Sequence, residues 1–260
     1  MIELKHLTKR YGTTIAINDL SLKLPNGTVY GVSGPDGAGK STLLQLLAGC
    51  TSADSGEVRI NGFDMAREPQ KAKACLGFLP AHAPLYDELT PLELLSFVAE
   101  ARGLSYERGQ RMIRDAMELT QTESLKYRTV ARLNREARVR VALAQALIGN
   151  PDILVLDEPT EHLDRRASAA ILNLLALLGE SKTLIVSGKD PEVLCTLCDR
   201  LLVLEHGCLA VHAPVEDLDV KELKNRIQAA TATQKAAPEK PTVEYDGEYE
   251  LIDTKKEEKH

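Results

Sequence analysis

Apolar residues follow two rhythms along this chain. Short apolar runs bounded by Gly, Pro, Asn or Asp read as buried strands. They are Thr28 to Ser33, Leu76 to Leu79, Ile153 to Leu156, Thr183 to Val186 and Leu201 to Leu204. Ile2 to Leu7, Thr14 to Leu24 and Gly56 to Ile60 read as further strands, with turns at Tyr11-Gly12, Pro25-Asn26-Gly27 and Asn61-Gly62. Between them, apolar positions recur at helical spacing. Ser41 to Ala48 predicts a helix with Gly49 as its C-terminal cap, and Pro69 suits a first helical turn. From Leu85 to about Val130 the pattern turns wholly helical. Thr90 caps one predicted helix, with Leu92, Leu95 and Val98-Ala99 on its apolar face, and Ser105 caps a second, with Met112, Ile113, Ala116 and Met117. After Asn134 the alternation of helix and short strand resumes. This order predicts an α/β core around a parallel sheet, with a helical insertion between its halves.

The first strand–helix junction carries chemistry. Gly34-Pro35-Asp36-Gly37-Ala38-Gly39-Lys40-Ser41-Thr42 fits G-x-x-x-x-G-K-[ST] without a mismatch. It sits where that motif requires, after a strand and opening a helix. Glycines let successive backbone N–H groups turn inward as an anion nest, and the helix adds its N-terminal dipole. Lys40 can reach β- and γ-phosphates, and the Ser41 hydroxyl can hold Mg²⁺. A second site follows the strand Ile153 to Leu156, which ends in Asp157-Glu158. Beside a phosphate loop, Asp157 is the expected metal ligand and Glu158 the expected general base for an attacking water.

Composition narrows the function. The chain has 260 residues and a formal net charge of −6, which argues against a nucleic-acid partner. No apolar run approaches the ~18 residues that a bilayer span needs. Met1-Ile2-Glu3-Leu4-Lys5 has no signal-peptide pattern, so an intracellular protein is expected. The 5 cysteines, an odd number, fit a reducing compartment. Cys195 and Cys198 form a C-x-x-C without a second pair at zinc spacing, and read as structural thiols. From Thr231 to His260, prolines and charges dominate, with 5 lysines against 8 acids, and a disordered tail is expected there.

With these motifs in hand, the chain resembles the ATP-binding subunits of ABC (ATP-binding cassette) transporters over residues 1 to 212. The likeness is carried by Gly34 to Thr42, by Asp157-Glu158-Pro159-Thr160 with Leu163-Asp164, and by Gly77-Phe78-Leu79-Pro80 with Leu85-Tyr86-Asp87-Glu88-Leu89-Thr90. Cys198-Asp199-Arg200 before the last apolar strand adds to it. The local wording is most similar to single-cassette subunits of drug-export type. The resemblance implies a P-loop NTPase core of ABC type, with a β-rich N-terminal subdomain and an inserted helical subdomain at about 85–130. It implies a cassette over 1–213, a C-terminal helix over 214–230 and the charged tail over 231–260. It implies ATP and Mg²⁺ as cofactors. Nucleotide binding would use Tyr11, Gly34, Asp36, Gly37, Ala38, Gly39, Lys40, Ser41 and Thr42, with Ser41 and Asp157 on the metal and Glu158 as base. Tyr11 matches the aromatic that stacks on adenine, the alternative being a turn tyrosine packed on a sheet edge. Asp164 matches a loop that communicates between paired sites, and His162 reads as a surface or dimer-interface residue. The implied partners are a transmembrane permease subunit, docking on the helical insertion, and a second cassette, identical or not. The implied place is the cytoplasmic face of the cell membrane.

Three positions depart from that family's pattern. Its L-S-G-G-Q signature, which touches the partner's γ-phosphate by close backbone approach, reads Leu133-Asn134-Arg135-Glu136-Ala137 here. Glu136 would set a negative charge near phosphates, with Arg135 or Arg138 as the candidate compensating group. The competing expectation is that Arg132, Arg135, Glu136, Arg138 and Arg140 form a solvated helix face. The glutamine after Gly-Phe-Leu-Pro is Ala81, with His82 beside it. The histidine expected after the next strand is Lys189, in Ser187-Gly188-Lys189, where it can meet a phosphate as a point charge. These departures predict intact ATP binding with slow or partner-dependent hydrolysis, or a nucleotide-responsive regulatory subunit without catalysis.

Overall fold

The computed structural model describes residues 1–236. The N-terminal part is a four-stranded antiparallel sheet in the order β2-β1-β4-β5. It is built from β1 (Ile2–Tyr11), β2 (Thr14–Leu24), β4 (Ser55–Ile60) and β5 (Phe63–Asp64). β3 (Val29–Ser33) leaves it for a second sheet and leads into α1 (Lys40–Leu47). α2 (Pro69–Ala74) and β6 (Leu76–Leu79) follow, then the helical segment α3 (Pro91–Ala101), α4 (Tyr106–Leu119) and α5 (Arg135–Leu147). The second half runs β7 (Ile153–Leu156), α6 (Arg165–Gly179), β8 (Thr183–Ser187), α7 (Pro191–Cys195), β9 (Arg200–Glu205), β10 (Cys208–Pro214) and α8 (Val220–Ala236).

The six-stranded sheet has the order β10-β9-β3-β8-β7-β6. β9, β3, β8, β7 and β6 are parallel neighbours, and β10 closes the edge antiparallel to β9. Strand periodicity decides the two cores, because alternate side chains face opposite sides. Leu154, Leu156, Leu184, Val186, Leu201 and Val203 pack toward α5, α6 and α7. Ile153, Val155, Ile185, Leu202 and Leu204 pack the other way, onto α1 and the N-terminal sheet. Both faces are covered, which is why these strands read as unbroken apolar runs.

The helix starts are set locally. Thr90 and Glu93 form a reciprocal capping box ahead of Pro91, and Asn134 Oδ1 accepts from Ala137 N at 2.9 Å. Ser105 stands at the cap position of α4 without a side-chain cap bond. β10 had no strand signal of its own. Its turn, His206-Gly207, has both residues at positive φ (50° and 77°), the geometry of a two-residue hairpin that Asn-Gly normally announces. The C-terminal helix also differs from expectation. It begins at Val220, where Asp219 Oδ1 accepts from Lys221 N and Glu222 N at 3.1 and 3.0 Å, and runs to Ala236. Buried Leu223 and Ile227 hold it down, so residues 231–236, expected in the tail, continue the helix. The rest of the expected tail, 237–260, lies outside the described residues. Cys198 is buried and Cys195 half-buried, both as free thiols, and burial pushes the Cys198 thiol far up.

No helix among the described residues is long and apolar enough to cross a membrane. β6 lies tight against α5: a Cβ on Gly77 would overlap the Ala146 carbonyl oxygen, a backbone atom that cannot step aside. Gly77→Ala is therefore expected to destabilise the protein by about 1–3 kcal/mol. In urea denaturation the midpoint falls with the slope unchanged.

Candidate functional site

The parallel sheet brings the carboxyl ends of β3, β8 and β7 side by side, and the loops leaving them build the site. From β3 comes the loop 34–39. Gly34 and Gly39 have φ of 145° and 103°. A Cβ on Gly34 would overlap the Leu204 carbonyl oxygen, and one on Gly39 the carbonyl oxygen of Ala16 on β2. Only glycine lets the loop sit this close to both sheets. Gly207 N donates to Ala38 O at 3.1 Å, so the β9–β10 turn braces the loop from outside. Asp36 and Gly37 are exposed at its tip, while Ala38 is buried and Ser41 and Thr42 are half-buried.

Lys40 opens α1 with only 6% of its surface exposed. Its Nζ donates to Gly34 O and Pro35 O at 2.9 and 3.0 Å, which curls the ammonium over the loop. Burial lowers its pKa, opposed by the charges of Glu158, Asp36 and Asp157. The first turn of α1 has no acid and no side-chain cap, so its N-terminal N–H groups face an anion without competition.

β7 supplies Asp157, 2% exposed. Its Oδ1 accepts from Ser41 Oγ at 3.2 Å and from Ser187 Oγ at 2.6 Å. Ser187 Oγ also accepts from Glu158 N at 2.8 Å. One serine at the end of β8 thus orders both acids of β7. A buried carboxylate among hydroxyls is a hard oxygen set that suits Mg²⁺. With a buried lysine and an uncapped helix terminus beside it, the residues fit a magnesium-bound nucleoside triphosphate.

Glu158 has φ of 48°, the left-handed region that costs a non-glycine residue. Burial, helped by its hydrogen bond with Glu161, pushes its carboxyl up to about 7. The same hydrogen bond, then Lys189, holds Glu161 well below the usual range. Lys189 Nζ lies 3.7 Å from Glu158 Oε2 and ion-pairs with Glu161 Oε1. The predicted base is therefore already engaged by a cation and a second carboxylate. Glu161 drew no attention in the sequence. Its signal was position, three residues past Glu158, across a turn in which Glu161 N donates to Glu158 O at 3.0 Å.

At the signature position the charges pair within the chain. Glu136 is neutralised by Arg140, whose Nε donates to Glu136 Oε1 at 2.9 Å, and not by Arg135 or Arg138. Arg140 also donates to Thr120 O at 3.2 Å and has a side chain only 11% exposed, while Arg132 and Arg135 are exposed, as a solvated face would have them. Arg138 pairs with Asp87 and the Val130 carbonyl. Arg135 donates to His162 O at 3.1 Å, tying the start of α5 to the loop after Glu158. A cleft of about 250 Å³ lies there, lined by Ala81, His82, Arg135, Glu158 and His162 among others. Ala81 and His82 are exposed, and His162 has φ of 61°. Asp164 caps α6, accepting from Ala167 N at 2.8 Å.

Tyr11 ends β1 opposite Thr14, two residues before the Ala16 that presses on Gly39. Its ring is 49% exposed, with Lys9 Nζ at 5.3 Å from the centroid. It is an exposed aromatic at the end of β1.

Removing the Ser187 hydroxyl leaves Glu158 N without its acceptor and Asp157 with one donor fewer. Ser187→Ala is expected to cost about 1–3 kcal/mol in urea denaturation. An unchanged midpoint would mean that this hydroxyl does not order the two acids.

Known proteins of similar sequence agree with this geometry. The family described as "ABC transporter" matches residues 17–161. "Nod factor export ATP-binding protein I" of Rhizobium sp. (strain N33) is 35% identical over 207 residues, 79% of this chain and 68% of that protein. "Daunorubicin resistance ATP-binding protein DrrA3" of Streptomyces coeruleorubidus is 31% identical over 220 residues, 84% of this chain and 70% of that one. The dimeric, post-hydrolysis structure of the ATP-binding cassette MJ0796 with ADP and Pi superimposes with a TM-score of 0.75. It is 26% identical, covering 84% of this chain and 100% of that one. The phosphate loop, the paired acids and these relatives together place the chain in the ABC transporter family, as an ATP-binding subunit.

Proposed function

We propose that this subunit serves an ABC exporter, holds Mg·ATP at the loop 34–42, and hydrolyses it slowly unless an intact cassette closes over it. One observation carries the binding half: Ser41, Asp157 and Ser187 are already hydrogen-bonded together beside buried Lys40. Lys40 meets the terminal phosphates, Ser41 and Asp157 hold the metal, and Gly37, Gly39 and the start of α1 supply backbone donors. Tyr11 offers its exposed face to adenine. Mg²⁺, when bound, neutralises charge on the phosphates. Glu158 takes the proton of the attacking water as ADP leaves. Export is the task named for the Nod factor relative, and it supports the exporter reading.

Slow turnover is supported by what surrounds Glu158. A lysine that pairs with the base cannot orient water as a neutral imidazole would. At the signature position Arg135 and Glu136 occupy the space where a phosphate needs bare backbone. A partner cassette with an intact signature restores that contact for the ATP on this chain, and a transmembrane subunit completes the complex on the cytoplasmic face of the membrane. The same Lys189–Glu158 pair also favours a second reading, in which this chain binds ATP as a regulatory switch without hydrolysing it.

Lys40→Ala is expected to weaken ATP binding by about 2–3 kcal/mol, roughly 30- to 150-fold, in calorimetric titration. Steady-state ATPase assays of the isolated chain should give turnover well below the roughly 1–1,000 s⁻¹ usual for enzymes. What remains should vanish in Glu158→Gln. Turnover indifferent to that substitution supports the regulatory reading, and brisk turnover by the isolated chain contradicts both.

A further inference from the structure

We propose that Lys224, on the C-terminal helix α8, is a positioning residue for Lys189 and thereby sets how well the site distinguishes ATP from ADP. The inference rests on the nucleotide reading above. Lys189 stands between two anchored neighbours. On one side Gly188 N donates to Val32 O at 3.1 Å, fastening the segment to β3. On the other, Asp190 caps α7 with Oδ1, which accepts from Glu192 N at 3.0 Å. The second oxygen of Asp190 is taken by Lys224 Nζ at 3.2 Å, and the same ammonium reaches Glu192 Oε2 at 2.6 Å.

α8 does not rely on these ion pairs to stay in place. Leu223 and Ile227 are buried in the same core as Leu194 of α7. Arg226 also reaches Glu205 Oε2 at 2.8 Å, beside the His206-Gly207 turn that braces Ala38. Because burial already orders the helix backbone, only the side chains remain to be ordered when Lys224 holds Asp190. The restraint passes through one peptide bond to Lys189. The Lys189 ammonium lies against Glu158 and Glu161, and its charge is felt at Lys40. The loop residue Asp36 also lies within electrostatic reach of this ammonium, which places it to meet the terminal phosphate of ATP, a group that ADP lacks.

Lys224→Met keeps the aliphatic stem and removes the charge, while Lys224→Arg keeps both. Calorimetry of the full chain with Mg²⁺ should show Lys224→Met weakening ATP binding about threefold, with ADP affinity unchanged. Lys224→Arg should restore the wild-type ratio. In a Lys189→Met background, Lys224→Met should change the ratio no further. An unchanged ATP-to-ADP ratio in Lys224→Met overturns the proposal. So does equal weakening of both nucleotides, the mark of a merely structural role. Wild-type protein that binds neither nucleotide overturns the nucleotide reading itself, and this inference with it.

Discussion

Asp157 is a carboxylate with almost no access to water, and a buried charge must be met by donors. The only way to meet it at the end of β7 is to draw on neighbouring strands. Ser41 comes from the loop after β3, and Ser187 from the end of β8, which lies between them in the sheet. That requirement ties three chain segments, far apart in sequence, into one oxygen cluster next to Lys40. The sheet order is what makes it possible, since β8 pairs with β3 on one side and β7 on the other. Ser187 then takes the Glu158 N–H as well, so Asp157 and Glu158, the proposed metal ligand and base, are held by one hydroxyl. Binding and catalysis share a hinge point, yet the elements beyond it diverge.

On the binding side the molecule agrees with itself. Gly34 and Gly39 sit where any side chain would strike backbone, Lys40 is held over the loop, and the helix terminus is left open. On the turnover side the groups are present but committed elsewhere. Glu158 sits in a strained backbone conformation, shares a hydrogen bond with Glu161 and faces Lys189. Such a cluster stabilises the acids around the site without leaving an unencumbered base. The start of α5 is similarly occupied: Glu136 is satisfied within its own helix by Arg140, and Arg135 by the His162 carbonyl. Side chains at this position are thus satisfied by partners in their own chain.

The phosphate loop was legible because its information is local: the nine residues Gly34 to Thr42 set the turn, the nest and the helix start. The strands β3, β7, β8 and β9 were legible too, since double burial leaves uninterrupted apolar runs. Sheet order was not, and with it went the role of Ser187, whose two bonds exist only because β8 lies between β3 and β7. Arg140 and Glu136 stand four apart on one helix, a spacing that sequence does expose, yet the family comparison drew attention to Arg135 and Arg138 instead. β10 was missed because His206-Gly207 makes a hairpin turn without its usual residues. α8 outran its expected end because two buried apolar residues, Leu223 and Ile227, anchor a segment whose composition alone looks solvated.

As proposed, this chain keeps its ATP cradle while its own signature no longer closes over a second ATP. Sedimentation velocity of the Glu158→Gln protein, with Mg·ATP and with ADP, puts this to the test. Blocking hydrolysis preserves any ATP-bound dimer long enough to be seen. ATP should bind yet leave the sedimentation coefficient as it is with ADP, and adding a cassette with an intact signature should produce an ATP-dependent heavier species. An ATP-dependent homodimer formed by Glu158→Gln alone would contradict it.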